Sequence, residues 1–214
     1  MTKSNSEVGL IAYSEDWQPK DLELINHVEV FQNKPAILKK VEARLNKLKE
    51  AMAIELLSCA SQLPPNTDIE NGQIARGENN NGFPFLSLDI PQNFSKTEMF
   101  TYRTIFWWGH YLGFSLILKG EKLKTYFERL SKNCNESPFL DVYLSITPTP
   151  WEWHQDEKHF IPVSYQKIWA EKLNTLNHMK IMRFHSISDE SFKRLDWTQA
   201  GVNFWKDMAP VCLG

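Results

Sequence analysis

Cysteine is scarce in this chain, and Cys59, Cys134 and Cys212 are odd in number and widely spaced. None forms a CxxC pair, which argues against both a disulfide framework and a zinc ribbon. No serine lies in a GxSxG motif, so neither cysteine nor serine is predicted to be an activated nucleophile. A glycine-rich phosphate loop and internal repeats are missing as well, so the sequence predicts no particular cofactor.

An excess of charge of one sign is also missing. The 24 Lys and Arg residues nearly balance the 26 Asp and Glu residues, which gives a net charge of −2. A protein that follows a phosphate backbone needs a basic excess, so nucleic acid is not an expected partner. No long apolar run or secretory signal is present, so no membrane span is predicted and a cytoplasmic location is the default expectation.

Aromatic residues, in contrast, are abundant. The 214 residues include eight Trp and thirteen Phe, and each buried ring removes roughly 150 to 250 Å² from water. Rings should therefore dominate the core. We expect a polar leader at residues 1–20 and one domain at residues 21–214.

Two helices are predicted before residue 64. A short one follows Pro19, which suits a first helical turn, and a long one begins at Asn33 and Pro35 and ends before Pro64. The apolar residues of the short helix are Leu22, Ile25, Val28 and Phe31, and those of the long helix are Ile37, Leu38, Val41, Leu45, Leu48, Met52 and Leu56. The opposite face of the long helix is mainly basic, with Lys39, Lys40, Arg44, Lys47, Lys49 and Glu50. It is interpreted as a solvated face, with an acidic partner as the alternative.

The middle of the chain predicts strands. Residues 64–82 are rich in Asn, Gly, Asp and Pro and indicate a surface connection, whereas residues 83–90 predict a strand that ends at Pro91. Residues 104–119 predict one central strand that bends at its glycines, with a helix of the same length as the alternative.

Further elements complete a mixed pattern. We expect a helix at 123–135, a strand at 139–147, a helix at 168–176, a strand at 180–187 and a last helix capped by Ser188 or Asp189. Strands that follow one another through short turns favour an α+β fold. The prediction is a single domain with an antiparallel or mixed β-sheet packed against several α-helices.

Residues 76–120 combine polar groups with apolar runs and contain the stretches GENNNGFPF and YRTIFWWG. These two stretches resemble a GEN-x-x-G-[FL]-P-[YF] turn and an FRT-x-FWWG strand that are shared by a family of uncharacterised bacterial proteins. The resemblance covers about a fifth of the chain and implies no activity, because none is assigned to the family. The matching positions are Gly77, Glu78, Asn79, Gly82, Pro84, Asp89, Pro91, Arg103, Thr104, Phe106, Trp107, Trp108 and Gly109.

The same region provides the first candidate site, for a small anionic or carbonyl-bearing ligand. If the turn folds over the strand ends, guanidinium, amide and imidazole groups converge beside a tryptophan wall. The candidate residues are Arg76, Glu78, Asn79, Asp89, Arg103, Trp107 and His110. In the alternative, the Asn-rich turn needs no ligand and Arg103 and Asp89 neutralise each other.

A weaker candidate is a metal site at Glu152, His154, Asp156 and His159. In an extended segment the first three share one face and offer two carboxylates and one nitrogen to a divalent cation. His159 has the opposite parity and needs a turn to join them. The alternative is a polar surface loop.

Two functions remain open from the sequence. The first is a small-ligand- or protein-binding module in which Trp151 and Trp153 form a docking patch. The second is a small enzyme with an anionic-substrate pocket, in which Glu78 or His110 acts as general base. A homodimer formed through an exposed ring cluster is a further hypothesis.

Overall fold

The computed structural model describes residues 15–213, apart from the side chain of Asn174. The predicted leader therefore lies largely outside the described residues. Contacts divide the chain at Leu38 into two units, one ending there and one beginning at Lys39. Helix α1 (Pro19–Ile25) carries Pro19 in its first turn, as predicted.

Helix α2 (Val28–Leu57) is longer than predicted. It begins at Val28, so Val28 and Phe31 belong to it, and Pro35 lies inside it. Asn33 is not a cap, because its side-chain amide donates to the carbonyl of Glu29 one turn earlier, at 2.9 Å. An Asn that bonds back along the helix behaves as an interior residue.

Seven strands form one antiparallel sheet in the order β1-β2-β3-β4-β7-β5-β6, which confirms the predicted α+β class. The strands are β1 (Gln73–Asn80), β2 (Phe83–Phe94), β3 (Met99–Trp107), β4 (Tyr111–Lys119), β5 (Tyr143–Ser145), β6 (Phe160–Pro162) and β7 (Met179–Ser186). The remaining helices are α3 (Leu123–Asn133), α4 (Gln166–Ala170) and α5 (Trp197–Cys212).

Three strand predictions were wrong in detail. The predicted connection at 64–82 contains β1, an edge strand that is polar because much of it is exposed. The predicted central strand at 104–119 is a hairpin, because Gly109 adopts a φ of 77° and turns β3 into β4. Strand β2 continues past Pro91 to Phe94, with an irregular register between Asp89 and Gln92 that accommodates a residue without an N–H.

The C-terminal half is more broken than predicted. The strand at 139–147 is reduced to β5, preceded by a 3-10 turn at Ser137–Phe139. The helix at 168–176 is α4 followed by a second 3-10 turn. Asp189 caps a 3-10 turn, while the cap of α5 is Asp196, whose carboxylate accepts from the N–H groups of Thr198 and Gln199.

The two faces of the sheet are covered differently. On one, the helix face, Tyr102 and Phe114 pack against Phe204 of α5, and the Tyr102 hydroxyl donates to the carbonyl of Gly201 at 2.9 Å. The other face, the loop face, carries Arg103. Along β3, residues on the loop face such as Arg103 alternate with residues on the helix face such as Tyr102. The loop face is covered by residues 146–159, here called the covering loop.

The three cysteines are buried and form no disulfide. Burial raises the pKa of all three thiols, so they remain protonated at neutral pH. Within residues 15–213, no helix has the length and apolar content needed to cross a membrane.

Candidate functional site

Asp89 and Arg103 form a closed ion pair on the loop face. They are cross-strand partners on β2 and β3. Arg103 Nε donates to Asp89 Oδ1 at 2.8 Å and Nη2 to Oδ2 at 2.7 Å. The Asp89 side chain is 4% exposed and that of Arg103 is 17% exposed. The bidentate pair neutralises both charges, as the alternative interpretation expected.

The covering loop places two tryptophans against this pair. The guanidinium of Arg103 lies 4.9 Å from the ring centroid of Trp151 and 5.8 Å from that of Trp153. The prediction that Trp151 and Trp153 together form a docking patch is wrong for Trp153. Its ring is 6% exposed, because it packs into an apolar cluster with Ile105, Trp107 and Phe160. Trp151 is 45% exposed.

The sequence analysis did not identify Lys180 as a candidate. In the structure, Lys180 binds the covering loop from the sheet beneath it. It is fully buried on β7, and its Nζ donates to the carbonyls of Pro150, at 3.1 Å, and of Glu152. The same nitrogen lies 3.4 Å from the centroid of the Trp153 ring. Burial holds the pKa of Lys180 well below its usual value; the nearby charge of Glu152 raises this pKa and that of Arg103 lowers it.

Other buried polar groups on this side are also satisfied internally. Ser115 donates to the carbonyl of Arg103 at 3.0 Å, Ser145 and Thr147 share a hydrogen bond of 2.8 Å, and Thr147 donates to the carbonyl of Thr149 at 2.7 Å. These hydrogen bonds satisfy the polar side chains under the covering loop. They describe an internal network that fixes the loop.

The first candidate site is divided between the two faces of the sheet. Arg76 pairs with Leu86, which pairs with Phe106, so Arg76 lies on the face opposite Arg103. It binds Glu78 at 3.0 Å instead, and both side chains are more than half exposed. Asn79 Oδ1 accepts from the N–H of Gly82 at 2.7 Å and closes the turn. The register of the strands decides which face of the sheet each residue occupies, and this register could not be derived from the sequence.

The side chains of His110 and Trp107 are in contact, as the first candidate site predicted for these two residues. Their rings stack with centroids 3.7 Å apart and an interplanar angle of 18°, and the indole N–H of Trp107 donates to the carbonyl of Asn80 at 3.1 Å. Within the described part of the chain, His110 Nε2 is buried without a hydrogen-bond partner. Burial lowers the pKa of His110, and His154 lowers it further, so the imidazole is neutral at pH 7.

The predicted metal residues form two separate pairs. His154 Nδ1 lies 2.8 Å from Glu152 Oε1, and His159 Nδ1 lies 2.7 Å from Asp156 Oδ1. The two imidazole centroids are 5.9 Å apart. Within residues 15–213, no three His, Cys, Asp or Glu side chains are arranged to hold a metal ion. Asp156 also caps its own turn by accepting from the N–H groups of Lys158 and His159.

A groove of about 590 Å³ lies beside the covering loop. Six of its lining residues are apolar or aromatic and are here called the wall residues; the other three are polar, two of them acidic, and are here called the acidic rim. The wall residues are Tyr143, Phe160, Ile161, Pro162, Tyr165 and Ile168, and the rim residues are Gln155, Asp156 and Glu157. The sequence analysis identified only Asp156 among these as a candidate, because the other residues come from separate elements that only the fold brings together.

A second groove, of about 540 Å³, lies between α3 and the α4 region. It is lined mainly by apolar side chains, including Phe127, Trp169 and Leu176, and contains none of the predicted site residues.

No family model, curated protein or solved structure matches this chain. The resemblance to a bacterial family through the GEN turn and the FWWG motif therefore stays a prediction. The case for a function depends on the geometry described above.

Proposed function

We propose that this chain is a binding protein that captures a basic, partly apolar peptide segment of a partner in the groove beside the covering loop. The observation that carries the proposal is the composition of this groove, in which aromatic walls stand next to an acidic rim. Tyr165 is 55% exposed and Ile168 is 48% exposed. Exposed apolar side chains at a groove are typical of interaction sites.

The electrostatics of the rim favour a cation. Although partial burial acts against it, hydrogen bonds from His159 and from the Lys158 N–H lower the pKa of Asp156. The carboxylate is therefore ionised at neutral pH, next to the exposed Glu157. Lys or Arg side chains would meet carboxylates at the rim and aromatic faces at the walls, and both attract cations.

The enzymatic alternative has less support from the contacts. Two arginines were predicted to hold an anionic substrate, but Arg103 already binds both oxygens of Asp89 and Arg76 binds Glu78. His154 and His159 are oriented by carboxylates, as a general base would be. Within residues 15–213, however, no Ser, Thr or Cys side chain donates to either ring. A nucleophile positioned by a base is therefore missing from the described part of the chain.

The test is a titration of the isotope-labelled protein, followed by NMR, with two matched peptides. One alternates Lys and Leu, and the other alternates Glu and Leu. We expect the basic peptide to shift the signals of Tyr165 and Ile168, and we expect Tyr165→Ala or Ile168→Ser to weaken its binding at least tenfold. Ile54→Ser is the matched control, because Ile54 is 72% exposed on α2.

Equal binding of the two peptides would contradict the role of the acidic rim. If the basic peptide still binds both groove variants, it binds at another site on the protein. If neither peptide binds, the proposed class of ligand is wrong.

A further inference from the structure

Tyr165 and Ile168 line two hollows of the surface at once. One is the groove beside the covering loop, and the other is a neighbouring hollow of about 510 Å³, here called the lysine hollow. Because both hollows share these two exposed side chains, Tyr165 and Ile168 form a ridge between them. The remaining residues that line the lysine hollow are Asn135, Ser164, Gln166 and Lys167.

The backbone under this ridge is anchored. The N–H of Tyr165 donates to the carbonyl of Pro162 at 3.0 Å, and the N–H of Ile168 donates to the carbonyl of Tyr165 at 3.0 Å. The next residue, Trp169, is 1% exposed, and its indole N–H donates to the carbonyl of Val163 at 2.7 Å. The exposed side chains therefore stand on a fixed support, which lowers the entropy lost when a partner packs on them.

The charges on the two sides of the ridge are opposite. Asp156 and Glu157 lie at the acidic rim of the groove, whereas Lys167 is the charged residue among those that line the lysine hollow. Glu157 and Lys167 are both exposed. Within residues 15–213, neither of them forms an ion pair. An anionic and a cationic group are thus available to a ligand on either side of one apolar ridge.

We propose that the peptide segment captured by this protein carries its charges in a fixed order, with a basic end, an apolar centre and an acidic end. This inference rests on the function proposed above. The basic end lies at the acidic rim, the apolar centre packs on Tyr165 and Ile168, and the acidic end lies beside Lys167. An extended segment of about six residues spans roughly 20 Å, which is enough to cross a single helical turn and enter both hollows. Complementary charges at the two ends select the partner and fix its register.

The test is a set of titrations of the full chain, followed by the fluorescence anisotropy of labelled peptides. All peptides share two lysines at one end and a Leu-Tyr-Leu centre, and the other end carries two Glu, two Gln or two Lys. Each is made in both sequence directions, because the surface fixes the order of the charges and not the direction of the backbone. At about 150 mM salt, exposed charges more than about 8 Å apart are largely screened, so differences report on groups close to the peptide.

We expect the native chain to bind the peptide that ends in Glu about threefold more tightly than the peptide that ends in Gln, as an exposed ion pair allows. The peptide that ends in Lys should bind most weakly. Lys167→Glu should reverse this order, because it places like charges together for one peptide and opposite charges together for the other. Lys96→Glu is the matched control, because Lys96 is exposed between β2 and β3 and lines neither hollow. It should keep the native order.

The outcomes separate this inference from the function on which it rests. If the native chain binds all three peptides equally, or if Lys167→Glu and Lys96→Glu have the same effect, the charge order is wrong and the capture of a basic segment still stands. If none of the peptides binds, both proposals are wrong.

Discussion

The environment of Arg103 is that of a structural residue and not that of a free binding group. Its guanidinium is held by both carboxylate oxygens of Asp89 and lies against Trp151. Removing one member of such a pair leaves the other charge buried without an opposite charge beside it. Its substitution should therefore affect folding before it affects ligand binding.

We expect Arg103→Ala to lower the free energy of unfolding by about 3 to 5 kcal/mol, the usual cost of breaking a buried pair. Urea denaturation at pH 7 measures this change. Arg76→Ala is a matched control, because the Arg76–Glu78 pair has a similar distance but is more than half exposed. Exposed pairs contribute about 0 to 1 kcal/mol. Equal losses in the two variants would contradict a structural role for Arg103.

Single residues also show which parts of the candidate site could be predicted from the sequence. The mutual neutralisation of Asp89 and Arg103 was one of two sequence interpretations, and the structure favours it. Lys180 was overlooked, although a lysine inside the apolar run from Met179 to Phe184 is itself a signal of a buried polar contact. The exclusion of Arg76 from the loop face depends on strand register, which is a long-range property.

At the scale of elements, the covering loop depends on contacts from β4 and β7. Lys180 binds two of its carbonyls, and the Tyr111 hydroxyl donates to the carbonyl of Trp153. A loop without regular structure must satisfy its buried carbonyls through such side chains. The loop is thus ordered by the sheet beneath it.

We expect Lys180→Met to keep the volume of the side chain but orphan the carbonyls of Pro150 and Glu152. The loss should be on the order of 2 kcal/mol, with faster amide hydrogen exchange at residues 151–154. Mass spectrometry of exchanged peptides measures the local effect. Lys47→Met on the exposed face of α2 serves as control, and unchanged exchange in the loop would show that Lys180 does not hold it.

Elements were predictable where their signals are local. The amphipathic stripes of α2 and α3 and the α+β class, with an antiparallel or mixed sheet, were predicted from spacing and turns. Strand β1 was missed because an exposed edge strand has little apolar content. The β3–β4 hairpin was interpreted as one strand because its turn at Gly109 lies within an aromatic run, without the usual Asn-Gly signal.

At the scale of the whole molecule, a two-faced sheet explains both the aromatic content and the buried histidines. Rings pack on the helix face around Tyr102 and on the loop face around Trp107. His110 stacks on Trp107 and His185 contacts Phe114. Within residues 15–213, the Nε2 atoms of His110, His178 and His185 are buried without a hydrogen-bond partner. An imidazole with such a buried, unpaired nitrogen is more stable neutral than charged.

We expect this feature to make the fold labile in acid. Burial lowers the pKa of His178 to about 4, and Lys180 and Lys119 contribute in the same direction. The unfolded chain has a histidine pKa of about 6.5 and therefore binds more protons between these two values. Stability should consequently fall as the pH decreases from about 6.5 towards 4, by up to about 3 kcal/mol for this residue.

Urea denaturation of the native chain and of His178→Gln at pH 7 and pH 4.5 tests this expectation. Gln cannot gain the proton, so the variant should lose less stability than the native chain when the pH is lowered. Carboxylates such as Asp68 and Glu152, whose pKa values are also lowered, contribute equally in both proteins and cancel in the comparison. His27→Gln, at an exposed position, should retain the native pH dependence. If His178→Gln shows the same acid sensitivity as His27→Gln, the acid lability comes from the carboxylates and not from the buried imidazole.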